Sequence, residues 1–329
     1  MTRTLRWGWV VKTAGGYVAA AVLLWLFLRT TNWAMLGDGM RSAAWPLLAA
    51  AVFLRLASLL VAALRWQALL EPAAHVPLRG VVVATMMGMT ASTVAPMQAA
   101  ELVRPYVLSS QQGVDFSTAL ATALAEWFLD GFAILALFIP AALWLHAAGS
   151  GRVWLIGAML LPLSIAGLAG LRILPRRAAG VADWIQIHSA LTPGVRLRVA
   201  DWSQSFLLGL HALDRRRGMA RIVVYSALLS ALTAVSAWLT LSAFEVRLPV
   251  GAGFVLLGLI TVAGMIPTPG AVGGFHAVCQ LGLVAFFGIE RARTVLPVIA
   301  LHAVLYLPGA FLGVVCFLAW PSRSQWSTS

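Results

Sequence analysis

Six stretches of the chain are apolar over a length that suits a membrane crossing: residues 15–32, 45–70, 116–145, 153–174, 222–244 and 294–319. A spanning helix needs about 20 mostly apolar residues. In hydrocarbon, every backbone N–H and C=O must find its partner inside the protein, which leaves helices as the economical solution for segments of this kind. The pattern predicts an all-α, polytopic integral membrane protein. Composition agrees: of 329 residues, 61% are hydrophobic and 10% charged, with a mean hydropathy of +0.89, far from the balance of a soluble domain. Little length remains outside the apolar segments, so residues 1–329 read as a single transmembrane domain.

Two further regions break this regularity. Residues 80–108 run apolar to Pro96 and return through "MQAAELVRPYVL". Residues 250–288 contain "GMIPTPGAVGGFHAV", with Pro267, Pro269, Gly270, Gly273 and Gly274 in quick succession. Each arm has roughly 12–18 residues, at or below spanning length. Both regions read as hairpins that dip into the bilayer or as paired short helices, and either form adds an even number of crossings. Free backbone at membrane depth is tolerated only where protein buries it or where it lines a cavity, and a helix N-terminus that follows such a break attracts anions.

The formal charge is +12, from 23 Lys and Arg against 11 Asp and Glu. The arginines sit mainly between apolar segments, so orientation in the membrane explains them better than nucleic acid does. Arg3, Arg6 and Lys12 precede the first span, and residues 172–221 carry nine arginines. Arg323 follows the last span, while Arg29, Arg41, Arg152, Arg247, Arg291 and Arg293 fall on the sparser side. This places both termini and the basic 172–221 loop on the cytoplasmic side of a cell (inner) membrane of bacterial type. The first segment is read as a retained helix, not a cleaved signal. Within the basic loop, Val199, Trp202, Phe206, Leu210 and Leu213 form one helical stripe. It fits a helix lying in the inner interface or one packed on the bundle.

The segments around the two breaks resemble each other. At a constant offset of 175, Glu101 meets His276, Gly113 meets Gly288 and Asp115 meets Glu290. The units cover about 80–147 and 250–320. Three spans separate the hairpins, so they face opposite sides, as in transporters built from inverted repeats with discontinuous helices.

Few charges lie in apolar surroundings. Glu101, Arg104, Glu126, Asp130 and the mid-span Arg55 are the conspicuous ones, and ionisable groups at that depth usually face an interior or a water-filled path. Two readings stand. In one, Glu101, Arg104, His276 and Arg55 line a site for a polar headgroup. In the other they are structural, with Arg55 answering Glu126 or Asp130, which share a helix face, and with His276 as a hydrogen-bonded core residue. The tryptophans, Trp66 among them, read as interface anchors. Cys279 and Cys316 lie in apolar segments without metal-like spacing and are read as reduced packing residues. The chain carries no G-x-x-x-x-G-K-[ST], no H-E-x-x-H and no nucleophile motif, so no metal, no cofactor and no catalytic residue is assigned.

The segments "LRWQALL", "APMQAAELVRPYVL", "AEWFLD" and "GMIPTPGAVGGFHAV", in that order over most of the chain, resemble the flippase-like membrane proteins related to the transmembrane half of lysylphosphatidylglycerol synthetases. The resemblance implies functional positions at Arg65, Trp66, Pro96, Glu101, Arg104, Tyr106, Glu126 and Asp130, and at Pro267, Pro269, Gly270, Gly273 and Gly274. Ala100, Trp127 and His276 depart from the family's pattern, which has Gly, Arg and, in many members, Glu at those places. The aminoacyl-transferring soluble domain of the synthetases is expected to be absent. What the resemblance implies is a lipid flippase, not an enzyme. Its cargo would be an aminoacyl-phospholipid, a polyprenyl-phosphate-linked sugar or a hopanoid-type lipid. The alternatives are an intramembrane enzyme with Glu126 and Asp130, or Glu101 with His276, as acid and base, and an accessory subunit of a lipid-synthesis complex. Expected partners are the lipid, the membrane and either a lipid-biosynthesis protein or a second copy of the chain, with no nucleic acid.

The arginine distribution makes a topological prediction. In a variant freed of Cys279 and Cys316, an impermeant thiol reagent applied outside should label a cysteine placed at 151 and spare one at 216. The reverse pattern would sink the assignment.

Overall fold

The computed structural model of the chain describes residues 17–29, 33–95, 101–147, 216–266 and 268–319, together with the isolated positions 162 and 165. The described residues are all-helical, and the chain is a polytopic membrane protein. Four helices are long and apolar enough to cross a membrane: Trp45–Leu70, Phe116–Phe138 within a longer helix, Gly218–Ser242 and Arg291–Leu318. They match four of the six stretches read from the sequence. The first stretch, 15–32, is described as a 12-residue helix, α1 (Tyr17–Leu28). At 1.5 Å per residue the described helix is about 18 Å long, and both ends of the stretch lie outside the described residues. A short helix α2 (Trp33–Ser42) occupies what was read as a loop. The stretch at 153–174, most of the basic loop, the stripe from Val199 to Leu213, and both Pro96 and Pro267 lie outside the described residues.

The other elements follow from local sequence. Helix α3 (Trp45–Leu70) begins with Pro46 in its first turn, where a missing N–H costs nothing. Helix α4 (Leu78–Val94) stops at Ala95, whose φ of −119° and ψ of 158° are extended, because a residue preceding proline is pushed out of the helical region. Helix α5 (Val103–Gln112) ends on left-handed Gly113. Helix α6 (Phe116–Ala147) starts behind Asp115, whose carboxylate accepts the Thr118 N–H at 3.0 Å, an N-cap bond. Helix α7 is Arg216–Ser242. Helices α8 (Ala252–Gly264) and α9 (Gly274–Phe287) flank the Pro/Gly break, and α9 ends on left-handed Gly288. Helix α10 (Arg291–Leu318) contains Pro297 and Pro308.

The offset of 175 marks helix boundaries. Helices α5 and α9 end at 112 and 287, a difference of 175, and α6 and α10 begin at 116 and 291, again 175 apart. The terminating glycines match in conformation, φ 68° at Gly113 and 65° at Gly288. Helices α3–α6 and α7–α10 thus follow one plan: long helix, broken hairpin, long helix. Helices α3 and α7 pack antiparallel. The Ala44 N–H donates to the Ala243 carbonyl at 2.9 Å, Ser236 Oγ to the Ala51 carbonyl at 2.8 Å, and Arg65 Nη1 to Ser226 Oγ at 3.2 Å. The two units therefore run in opposite directions. Each has its own core: Trp66, Leu70, Val81, Val107 and Leu108 in the first, and Leu256, Phe275, Leu283, Val298 and Leu301 in the second.

The tips of the hairpins meet. A Cβ on Gly270 (φ 61°) would lie 3.0 Å from the Thr93 carbonyl oxygen at the end of α4. Helix α1 covers the junction. Tyr17 donates its hydroxyl to the Val94 carbonyl at 2.7 Å, which satisfies one acceptor left over at the broken helix end. Gly273, at φ 79°, lies against α1 so closely that a Cβ would stand 2.5 Å from the Ala20 carbonyl oxygen. Only glycine suits both the backbone conformation and the approach.

Gly273→Val should therefore destabilise the protein by at least about 1–3 kcal/mol from backbone strain alone, before the clash with α1 is counted. Thermal melting in detergent reads this directly. Gly37→Val is the control, because nothing lies within 4 Å of a Cβ there. Equal melting temperatures for the two variants would contradict the tip geometry.

Candidate functional site

A cluster of ionised side chains joins α3, α5 and α6. The spacing of four between Glu126 and Asp130 puts both carboxylates on one face of α6, and Thr122 precedes them by the same step. Arg65 of α3 lies across that face. Its Nε donates to Glu126 Oε1 at 3.2 Å, its Nη2 to Asp130 Oδ2 at 3.1 Å, and its Nη1 to the other Asp130 oxygen and to Ser226 of α7. Planar guanidinium against carboxylate in this forked form is the strongest polar pairing a protein makes. The ion pair that the sequence suggested for Arg55 is made by Arg65 instead. Arg65 lies ten residues further along α3 and faces α6, and Arg55 points to α10.

The second oxygen of Glu126 faces α5. Arg104 Nη2 donates to Glu126 Oε2 at 2.7 Å and its Nη1 to Glu101 Oε2 at 3.4 Å. Its guanidinium carbon lies 4.4 Å from the centre of the Trp66 ring, a cation–π contact. Trp66 is fully buried, and its indole N–H donates to Thr122 Oγ1 at 3.0 Å. This corrects its reading as an interface anchor: it is the floor on which Arg104 rests. Space for Arg104 comes from Gly88 of α4, where a Cβ would stand 2.3 Å from Arg104 Cγ.

The network is graded from core to rim. The side chains of Arg65 and Glu126 are 3% and 2% exposed, that of Arg104 13%, those of Glu101 and Asp130 26% and 38%. Tyr106 is exposed beyond them and joins none of the network's bonds. Arg104 Nε is buried and has no hydrogen-bond partner, which is unusual for a group of this kind. The three carboxylates face two guanidiniums, so with every group ionised the cluster carries one negative charge in excess.

The remaining sequence-predicted residues lie elsewhere. Pro269, Gly270, Gly273 and Gly274 form the second hairpin's tip. His276 is buried there, with Phe27 and Phe275 beside it at ring distances of 5.0 and 5.9 Å. The Gly273 N–H donates to its Nδ1 at 3.4 Å, the bond of a core residue capping its own helix. Arg55 donates from Nε to the Leu305 carbonyl at 2.9 Å. The structure thus gathers Arg65, Trp66, Glu101, Arg104, Glu126 and Asp130 in one place, and leaves Arg55 and His276 outside it. Among the described residues no group of three or more His, Cys, Asp or Glu is arranged to hold a metal.

Sequence reasoning missed Thr122, Ser226, Gly88, His302 and Tyr306. Thr122 was recoverable, because 122, 126 and 130 repeat at the helical step. His302 was visible as a second histidine within an apolar span. Ser226 and Gly88 gave no signal, because only the packing of α7 and α4 brings them to the cluster.

Among known families, the model of the lysylphosphatidylglycerol synthase TM region matches residues 10–313. No curated protein matches.

The shared role of Glu126 sets an expectation. Removing it takes from Arg65 and Arg104 their most deeply buried partner and leaves each with one rim carboxylate, and breaking a buried pair costs about 3–5 kcal/mol. Glu126→Ala should lower the melting temperature far more than Asp130→Ala, because Asp130 is partly open to its surroundings. Equal effects would show that Glu126 does not hold the cluster.

Proposed function

The chain belongs to the family of the lysylphosphatidylglycerol synthase transmembrane region, and from that premise we propose that it is a lipid transporter, moving a polar-headgroup lipid between leaflets without converting it. The observation that carries this reading is the open end of the ionic cluster beside a broken helix. Arg104 lies flat on Trp66 with Nε unengaged, and Glu101 and Asp130 form a half-exposed rim. A guanidinium in that posture keeps one N–H unused, which a phosphate that entered the cluster could take, exchanging with the rim carboxylate Glu101. The excess negative charge suits a headgroup amine or a proton on the rim carboxylates. The headgroup would pass between the two hairpin tips, where backbone is broken, while the acyl chains stay in the bilayer.

The cargo class is a phosphate-bearing or aminoacylated lipid, a polyprenyl-phosphate-linked sugar or a hopanoid-type lipid. The transporter sits in the cytoplasmic membrane with both termini inside. Ions, protons, lipid gradients or a partner supply the driving force. Reconstitution with labelled lipid separates this reading from its rivals. A transporter exchanges lipid between leaflets, an intramembrane enzyme changes the lipid chemically, and an accessory subunit does neither alone.

Within that assay, Arg104→Lys keeps the charge but loses the planar fork. Exchange of a phosphate-bearing lipid should fall about tenfold, the equivalent of one charge-assisted hydrogen bond, with little change in melting temperature. Glu101→Gln should slow exchange as well if the carboxylate carries a proton or orients Arg104. Both variants exchanging at the unmutated rate would show that the headgroup does not pass this cluster.

A further inference from the structure

Arg55 is the charged residue that the cluster around Glu126 leaves over. It lies ten residues into α3, about 15 Å along a helix of about 39 Å, and therefore near the middle of a span. Every partner it has is neutral. Nε donates to the Leu305 carbonyl of α10 at 2.9 Å. Nη1 donates to Ser58 Oγ at 3.3 Å, and Ser58 in turn donates to the carbonyl of Arg55 itself at 2.7 Å. No carboxylate among the described residues pairs with this guanidinium. The contrast with Arg65, ten residues further along the same helix, is complete: Arg65 has two carboxylates. A cation at that depth without an acid beside it is costly, and it marks a candidate ligand site.

The surroundings fit an anionic ligand. Tyr306, one helical step beyond His302 on α10, follows Leu305, the residue whose carbonyl Arg55 binds, and supplies a phenol. Its ring lies 4.7 Å from that of His302. His302 in turn is fixed by a 2.9 Å bond between Nε2 and the carbonyl of Gly270 at the second hairpin's tip. Arg55, His302 and Tyr306 are all half-buried, open on one side. Beyond them Phe53 of α3 and Leu307 and Phe311 of α10 are exposed, an apolar surface that matches acyl chains. Pro308, in the next turn of α10, withholds an N–H from the carbonyl of Val304 and loosens the helix where Arg55 reaches it.

We propose that Arg55 and Tyr306, with His302 holding the tyrosine in place, form a second site, between α3 and α10, that binds the phosphate of a membrane lipid. It lies about 15 Å along α3 from Arg65 of the Glu126 cluster and depends on different residues. The proposal rests on the reading of the chain as a lipid transporter, because the apolar border assigns the phosphate to a lipid and not to a free anion.

The test uses the full chain in a neutral detergent, with native mass spectrometry and thermal shift as readouts. The probes are phosphatidylglycerol, the matching diacylglycerol without phosphate, and inorganic phosphate. The unmutated chain should retain phosphatidylglycerol and be stabilised by it, and should ignore diacylglycerol. Arg55→Gln should retain one lipid fewer, with an apparent affinity at the lost site reduced about tenfold. Tyr306→Phe, which removes only the hydroxyl, should weaken that site several-fold, and it decides the matter if Arg55→Gln fails to fold. Unchanged lipid retention in both variants overturns the second site and leaves the transporter reading standing. An unmutated chain that retains no phosphatidylglycerol overturns the second site. If it also fails to exchange lipid in liposomes, the transporter reading falls with it. Stabilisation by inorganic phosphate equal to that by the lipid overturns the lipid assignment.

Discussion

The first half of the molecule hangs on one carboxylate. Glu126 gives one oxygen to Arg65 and the other to Arg104, and so ties α3, α5 and α6 at a depth where water is scarce. Two arginines on one carboxylate are not neutral, and Asp130 and Glu101 supply the balance from the rim. In a low-dielectric interior this order matters. The fully buried member must be paired on both sides, whereas the rim members can exchange a partner or a proton at smaller cost. A network graded in this way is held tightly at its centre and more loosely at its edge.

Breaks in the two hairpins follow from the same physics. A helix that ends inside a membrane leaves carbonyls and N–H groups without partners. Here the other unit and α1 supply them. Tyr17 caps Val94, His302 binds the Gly270 carbonyl, and the tip of one hairpin lies against the tip of the other. Antiparallel packing of α3 on α7 makes this meeting possible, because it brings two short hairpins toward one another from opposite directions. Helices α4, α5, α8 and α9 are each shorter than the roughly 20 residues a spanning helix needs, and the tips of the two pairs lie against one another.

Much of this was legible before any coordinates. Apolar length gave four of the long helices, the prolines gave both breaks, and the offset of 175 gave the matching helix ends at 112 and 287. The acidic pair at 126 and 130 announced a common face because the helical step is a local property. What was not legible was the identity of the partner. Arg55 and Arg65 lie on one helix, in equally apolar surroundings, and differ by ten residues. Choosing between them needs the rotation of α3 against α6, which is a matter of packing. Resemblance to a family pointed to Arg65 where composition pointed to Arg55. Trp66 was misread for a related reason: a tryptophan near a helix end satisfies the pattern of an interface anchor, and only the meeting of α4, α5 and α6 around it shows that it is a buried floor.

Helix α3 also explains why the two halves differ in charge. It contributes Arg65 to one side, where three carboxylates outnumber two arginines, and Arg55 to the other, where no acid answers it. A single rigid helix thus presents an excess of negative charge and an excess of positive charge about 15 Å apart along its axis. Because α3 is continuous and unbroken by proline after its first turn, that polarity survives small movements of the hairpins. It is a property of the scaffold, set by the helix itself and not by the broken segments packed on it.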